Sequence, residues 1–256
     1  MLIAITREVS RSVIHCELTH LARSPIDVTR ARAQHEQYRD ALRSLGLEVV
    51  SLPEQPTLPD SVFVEDAAIV LDEVALLTRP GADSRKPEVD SIARTLEAYR
   101  PLLRVEAPAT LDGGDVLVAG RKIFVGQTLR TNASALEQMA NLLKPFDYEV
   151  IGVPVTECLH LKSGVTRVAE NLLLINPVWV EKKYFCGFEF IETDPSEPFA
   201  ANALLIGDAL VYPSAFEATR TRLEAAARPL VTVDADELSK AEGGVTCCSL
   251  VFSVQE

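Results

Sequence analysis

The sequence lacks several features that would assign a class at once. No apolar run reaches 18 residues, so no membrane-spanning helix is expected. The first ten residues, MLIAITREVS, have no basic region followed by an apolar run and a small-residue cleavage site. A secretory leader is therefore not expected, and the cytoplasm is the expected location. Cysteines number five, an odd count without a CxxC spacing, which speaks against a disulfide framework and for free thiols in a reducing compartment. Basic residues are scarce: 25 Lys+Arg face 37 Asp+Glu, for a net charge of −12. Phosphate binding needs a basic face, so nucleic acid is not an expected partner. Hydrophobic content of 47% over 256 residues excludes a disordered chain and a stapled mini-protein. With no low-complexity linker, residues 1–256 read as a single domain.

What is present is an irregular repeat. Short apolar runs joined by polar turns recur after Asp66 (AAIV-LDE-VALLT), Asp115 (VLVA-GRK-IFVG), Asn171 (LLLI-NP-VWVE) and Asn202 (ALLI-GD-ALVYP). Helical stripes follow most of them: Val89, Ile92, Leu96 and Tyr99, then Leu136, Met139 and Leu143 behind a cap at Asn132, then Phe216 to Ala227. After the Asn171 hairpin any helix is short. Each unit then offers one more strand: 102–107, 148–155, 188–193 and 230–235. The ends supply a fifth unit. Val28, Ala31, His35, Tyr38, Leu42 and Leu45 stripe a helix closed by Gly46, the strand LEVVSL follows, and MLIAIT would pair with CSLVFS from the C-terminus. Five ββαβ units would thus close a ring, avoiding open sheet edges.

A ring brings equivalent positions to one axis. The segments leading into the hairpins are Glu65-Asp66, Asp112-Gly-Gly-Asp115, His160 to Asn171, and Thr246-Cys247. Polar residues are ordinary before turns, and a cysteine beside a strand is more often inert packing than a nucleophile. Acids, a histidine and a cysteine in equivalent places nevertheless point to one site. Cys247 needs help to form a thiolate at neutral pH. Strand alternation would put Cys247 and Cys248 on opposite faces, so only one should react. Of the four histidines, His35 lies on a helix stripe, His15 and His20 lie in the N-terminal loop, and His160 alone leads into a hairpin. Glu65 and Asp66 interrupt an apolar run and need a cationic partner, which a structural cation or a substrate would supply equally. A metal is the rival reading of such a set. Neither HExxH nor a paired-ligand spacing occurs, and no metal is expected.

DSVFVEDAAIV at 60–70, LDGGDVL at 111–117, CLHLKS at 158–163 and TCCSL at 246–250 resemble the dimethylarginine dimethylaminohydrolase family. The segments at 16–35 and 125–132 fit as well, so the resemblance covers essentially the whole chain in order. It implies the five-bladed pseudo-symmetric α/β propeller of the guanidine-modifying superfamily. It also implies Cys247 as nucleophile, His160 as general acid and base, and Asp112 orienting His160. Asp66, with Glu65 beside it, would hold a guanidinium. Arg85 and Arg130 would hold the substrate carboxylate, Asp60 and the backbone of Leu18 on a mobile lid its amine, and Phe63 would pack on its stem. Ala241 and Glu242 depart from the Val-Asp or similar pair that members often carry there.

The reaction so implied hydrolyses Nω-methylated arginines to citrulline and dimethylamine or methylamine through a covalent Cys247 thiouronium, with no cofactor. The alternative is a related cysteine hydrolase releasing ammonia from arginine or another guanidino compound. Either way the expected partner is a small cationic guanidino substrate, the enzyme being a monomer or homodimer. A non-catalytic propeller protein would lack the Cys-His-acid set that this chain retains.

Overall fold

The computed structural model describes residues 1–226 and 229–254. Its strands form five three-stranded sheets. The first unit contains β1 (Leu2–Arg7), α1 (Val28–Ser44) and β2 (Glu48–Leu52). The second contains β3 (Ala68–Val70), β4 (Ala75–Leu77), α2 (Glu88–Leu96) and β5 (Leu102–Arg104). The third contains β6 (Val116–Ala119), β7 (Lys122–Gln127), α3 (Ala133–Leu143) and β8 (Glu149–Pro154). The fourth runs through the one-turn α4 (Leu161–Gly164), β9 (Val165–Ala169), β10 (Leu172–Ile175) and β11 (Glu189–Glu192). The fifth has β12 (Leu204–Ile206), β13 (Ala209–Pro213), α5 (Glu217–Ala225) and β14 (Leu230–Val233). After the short α6 (Asp236–Ser239), β15 (Leu250–Ser253) returns to the first unit.

In every sheet the middle strand is antiparallel to its hairpin partner and parallel to the strand after the crossover. Leu2 pairs with Ser253 and Ile5 with Leu250, so the termini complete one unit as expected. The helices sit where their apolar stripes put them. Ala31, His35, Tyr38 and Leu42 are buried along α1, and Gly46 follows its end at φ +84°. Asn132 caps α3 by accepting from the Ala135 amide. The helix expected at 216–227 is α5; its expected last residue, Ala227, lies outside the described residues.

Two expectations need correction. The hairpin assigned to LLLI-NP-VWVE is instead VTRVA-EN-LLLI, with Glu170 and Asn171 in the turn. Pro177 lacks a ladder donor, and Asn176 accepts the Val178 amide in a side-chain turn, so VWVE does not extend into a strand. The fourth unit's helix is short, as expected: a single 3₁₀ turn at Lys182–Tyr184. The ring, moreover, is not closed by hydrogen bonds between sheets, which stay separate among the described residues. Packing closes it. Ile3, Ile5 and Phe252 join α2, and Ile69 and Leu76 join Ile123 and α3. Phe124 and Val153 meet Leu173 and Phe185, and Leu174 and Val168 meet Tyr212 and Leu223. Ile206, Val211 and Val233 complete the circle against α1. Each apolar cluster thus bridges two neighbouring units, and burial of that surface, at about 25 cal/mol per Å², drives closure.

His35 is a core residue, as its place on the stripe suggested, but an unusual one. Both ring nitrogens are buried without a hydrogen-bond partner among the described residues. Burial, helped by the Arg39 charge, pushes its pKa down to about 4. The unfolded chain takes up this proton near pH 6.5, whereas the folded chain resists it until about pH 4. Stability is therefore lost as pH falls through that window, by about 3 kcal/mol when fully developed. His35→Leu should flatten this part of the acid-stability profile in urea titrations at pH 7, 5.5 and 4.5. An unchanged slope between wild type and variant would contradict the assignment.

Candidate active site

The segments leading into the hairpins converge as the repeat required. Val64–Ala67 and Gly113–Asp115 form 3₁₀ turns before β3 and β6, α4 precedes β9, and Val245–Cys248 turns before β15. The 3₁₀ turns contact each other, and α4 contacts the second of them. Residues far apart in sequence thereby meet at one end of the ring axis.

His160 lies at the centre. Its Nε2 is 3.0 Å from Asp112 Oδ2, and its Nδ1 is 4.0 Å from Asp66 Oδ1. Asp112 is itself held by the Gly81 amide on Oδ1 and has Arg130 Nη1 at 3.6 Å. The second acid of the DGGD segment does different work: Asp115 accepts from the Leu161 amide, Thr128 and Thr131, fixing the backbone just after His160. The intervening glycines are required by close approach. A Cβ on Gly114 would lie 2.4 Å from His160 Nδ1, and one on Gly113 would lie 2.0 Å from the Glu65 carbonyl oxygen. Burial opposes a charge on His160, but Asp66 and Asp112 outweigh it and raise its pKa to about 9. Imidazolium is thus the resting form at neutral pH.

Glu65 and Asp66 both find structural cations. Arg85 Nη1 donates to Asp66 Oδ2 at 2.5 Å while Arg85 also grips Glu88 and the carbonyls of Asp60 and Phe63. Burial works against the Asp66 charge, yet Arg85 and His160 hold its carboxyl well below the usual range. Lys162 Nζ lies 2.5 Å from Glu65 Oε1, and Thr246 donates to Oε2. Asn202 steadies Thr246 from the fifth unit, accepting its amide. Asp66, expected beside a guanidinium, and Arg85, expected beside a carboxylate, are paired with each other. Lys162, Glu88, Asn202 and the threonines had no assigned role in the sequence. Acids in an apolar run announce the need for a cation, but no local signal names Lys162 or Arg85 as its source.

Cys247 is buried, and its Sγ accepts the Gly244 amide at 3.3 Å. Burial first, then the charges of Glu65 and Asp66, push its thiol pKa well up. Cys247 and Cys248 lie in a turn rather than in β15, so turn geometry and not strand alternation separates them. Cys247 lines two cavities together with His160, whereas Cys248 lines a third beside His35 and Tyr38.

The two cavities differ in character. The smaller is walled by Asp60, Phe63, Asp66, Arg85 and Arg130. The larger, about 320 Å³, continues past Glu65 and Lys162 to Cys158, Phe199, Pro213 and Phe216. Asp60 accepts the Glu17 amide, and half-buried Leu18 packs on the core beside it. Asp66, Asp112 and His160 present ligand atoms within 4.8 Å of one another, as a metal site would. Arg85 and Arg130 already stand within 4 Å of those two carboxylates, so a metal ion would meet strong positive charge there.

The Glu65–Lys162 pair is mostly buried, and removing one partner leaves the other's charge unpaired there. Lys162→Met should cost about 3–5 kcal/mol of unfolding free energy at pH 7. Urea denaturation reads the loss, and a change under about 1 kcal/mol would show that water reaches Glu65.

A family profile described as N,N dimethylarginine dimethylhydrolase, eukaryotic, matches residues 20–184. The chain is 34% identical to the N(G),N(G)-dimethylarginine dimethylaminohydrolase of Pseudomonas aeruginosa, over 97% of this chain and 98% of that one. It is 36% identical to the enzyme of that name from Streptomyces coelicolor, over 96% and 95%. Among solved structures it is similar to the Pseudomonas aeruginosa enzyme, in a cysteine-to-serine mutant complexed with citrulline, with a TM-score of 0.93 and 33% identity over 97% and 98% of the two chains. A further dimethylarginine dimethylaminohydrolase, captured as an adduct with S-methyl-L-thiocitrulline, matches with the same TM-score and identity over 98% and 100%. Together with five ββαβ units and a buried Cys-His-acid site at their axis, these likenesses place the chain in the dimethylarginine dimethylaminohydrolase family.

Proposed function

We propose that the protein hydrolyses Nω-methylated arginines to citrulline and the corresponding methylamine, as a cysteine-dependent hydrolase without a cofactor. One observation carries this reading: His160 and Cys247 sit where a cavity bearing carboxylates and guanidinium groups meets a larger, mainly apolar one. Asp60 and Arg130 in the first match the amine and carboxylate of an α-amino acid, with Arg85 behind them and the Leu18 backbone at the lid. Phe63 offers an apolar flank for the aliphatic stem. Past Cys247, the larger cavity leaves space for N-methyl groups. Asp66, beside Glu65, supplies negative potential for the guanidinium.

The protonation states suit this substrate. In the free site Cys247 is a neutral thiol and His160 an imidazolium. A bound guanidinium stabilises the thiolate, and the thiol proton leaves to solvent. The thiolate attacks the guanidinium carbon. His160, held by Asp112, protonates the departing amine, leaving a covalent thiouronium and a neutral imidazole. His160 then takes a proton from water, the hydroxyl adds to the same carbon, and collapse of the adduct, with loss of the hydroxyl proton to solvent, returns the thiolate and releases citrulline. The catalytic unit is taken to be the whole chain, 1–256, as a cytoplasmic monomer or homodimer with no nucleic-acid partner. No helix among the described residues is long and apolar enough to cross a membrane.

Asymmetric dimethylarginine, monomethylarginine and arginine, offered in parallel with a Cys247→Ser control, test the reading directly. Citrulline with equimolar methylated amine from the first two, lost in the control, is the expected result. Turnover of arginine alone would move the substrate to the ammonia-releasing alternative. The alkaline limb of the pH profile should fall near pH 9, where His160 loses the proton it donates.

A further inference from the structure

The loop from Glu17 to Leu21 is fastened over the site at two ends. At one end the Glu17 amide donates to Asp60, Ser84 donates to the Glu17 carboxylate, and Arg130 donates to the Thr19 hydroxyl at 3.0 Å. At the other end a single carboxylate takes three successive backbone donors. Glu242 accepts from the amides of Thr19 at 2.9 Å, His20 at 2.6 Å and Leu21 at 2.7 Å. These partners are more than 220 positions apart in sequence, so the contact is tertiary and not a local turn. Glu242 also holds φ at +59°, a left-handed conformation that a non-glycine residue adopts only when its surroundings enforce it. It stands immediately before Gly243 and Gly244 on the turn that delivers Cys247, and it walls both cavities.

We propose that Glu242 is the catch that holds the Glu17–Leu21 loop shut, and so a positioning residue for recognition of the substrate's amino-acid end. Three aligned amide donors form a small anion-binding nest, and the Glu242 side chain has the length to seat its carboxylate there. With the catch engaged, Leu18 is held beside Asp60, and Arg130 is tied to the loop through Thr19. With it released, the loop keeps the Asp60 end, the packing of Leu18 on the core and the Arg23 contacts to Ile14 and Cys16. The inference rests on the proposed substrate only where it predicts kinetics.

The primary test therefore uses no substrate. Amide hydrogen exchange of residues 17–21 is followed in the free enzyme for wild type, Glu242→Asp, Glu242→Gln and Glu242→Gly. Aspartate is one methylene short of the nest. Glutamine keeps the length and loses the charge. Glycine relieves the left-handed backbone while deleting the carboxylate. Exchange at Thr19, His20 and Leu21 should rise at least tenfold in the Asp and Gly variants and less in Gln, with melting temperature held or raised in Gly. If methylarginine turnover is found, KM should rise about tenfold in Gly with a smaller change in kcat, because the loop positions substrate and does not react with it. Wild-type exchange rates in the Gly variant would overturn the proposal, since a role limited to backbone geometry is preserved by glycine. So would equal protection in all four proteins.

Discussion

Every feature of the site follows from having to bury four carboxylates, Glu65, Asp66, Asp112 and Asp115, around one imidazole and one thiol. An uncompensated charge in such a place costs several kcal/mol, so each acid must be matched. Arg85 matches Asp66, Lys162 matches Glu65, His160 with Arg130 nearby matches Asp112, and two threonine hydroxyls with a backbone amide serve Asp115. The same charges fix the chemistry. They hold His160 as an acid and, together with burial, Cys247 as a thiol, so that the thiol ionises only when a further cation arrives.

The ring makes this concentration of charge possible. Short turns lead into the hairpins at the same end of the axis, while the apolar clusters between neighbouring units hold the turns in place from outside. The glycines of the DGGD segment then permit an approach that side chains would block. A scaffold closed by packing keeps the buried ion pairs in fixed geometry without covalent staples, since all five cysteines are free.

Much of this was legible in the sequence. Local patterning located α1, α2, α3 and α5, and the repeat, one hairpin short, paired the first strand with the last. Patterning failed at LLLI-NP-VWVE, where apolar content resembled a strand but the proline and the Asn176 side-chain turn ruled it out. The positions of Cys247, His160 and Asp112 were legible because a repeat makes equivalent places visible. Their roles came from family resemblance, not from spacing. The partners of Glu65 and Asp66 were not legible: a buried acid announces that it needs a cation, but nothing local says whether Arg85, Lys162 or a substrate provides it. Glu242 stood out only as a departure from the family pattern, and its three amide partners lie at the other end of the chain.

The central claim is that the site rests with a neutral thiol beside an imidazolium and waits for a cation to ionise the thiol. Ultraviolet thiolate absorbance, taken as wild type minus Cys247→Ser, reads this directly across pH, first in the free enzyme and then with an unreactive cationic amidine bound. The account predicts no thiolate signal at neutral pH in the free enzyme and its appearance on binding the cation. A thiolate already present at neutral pH in the free enzyme would contradict it.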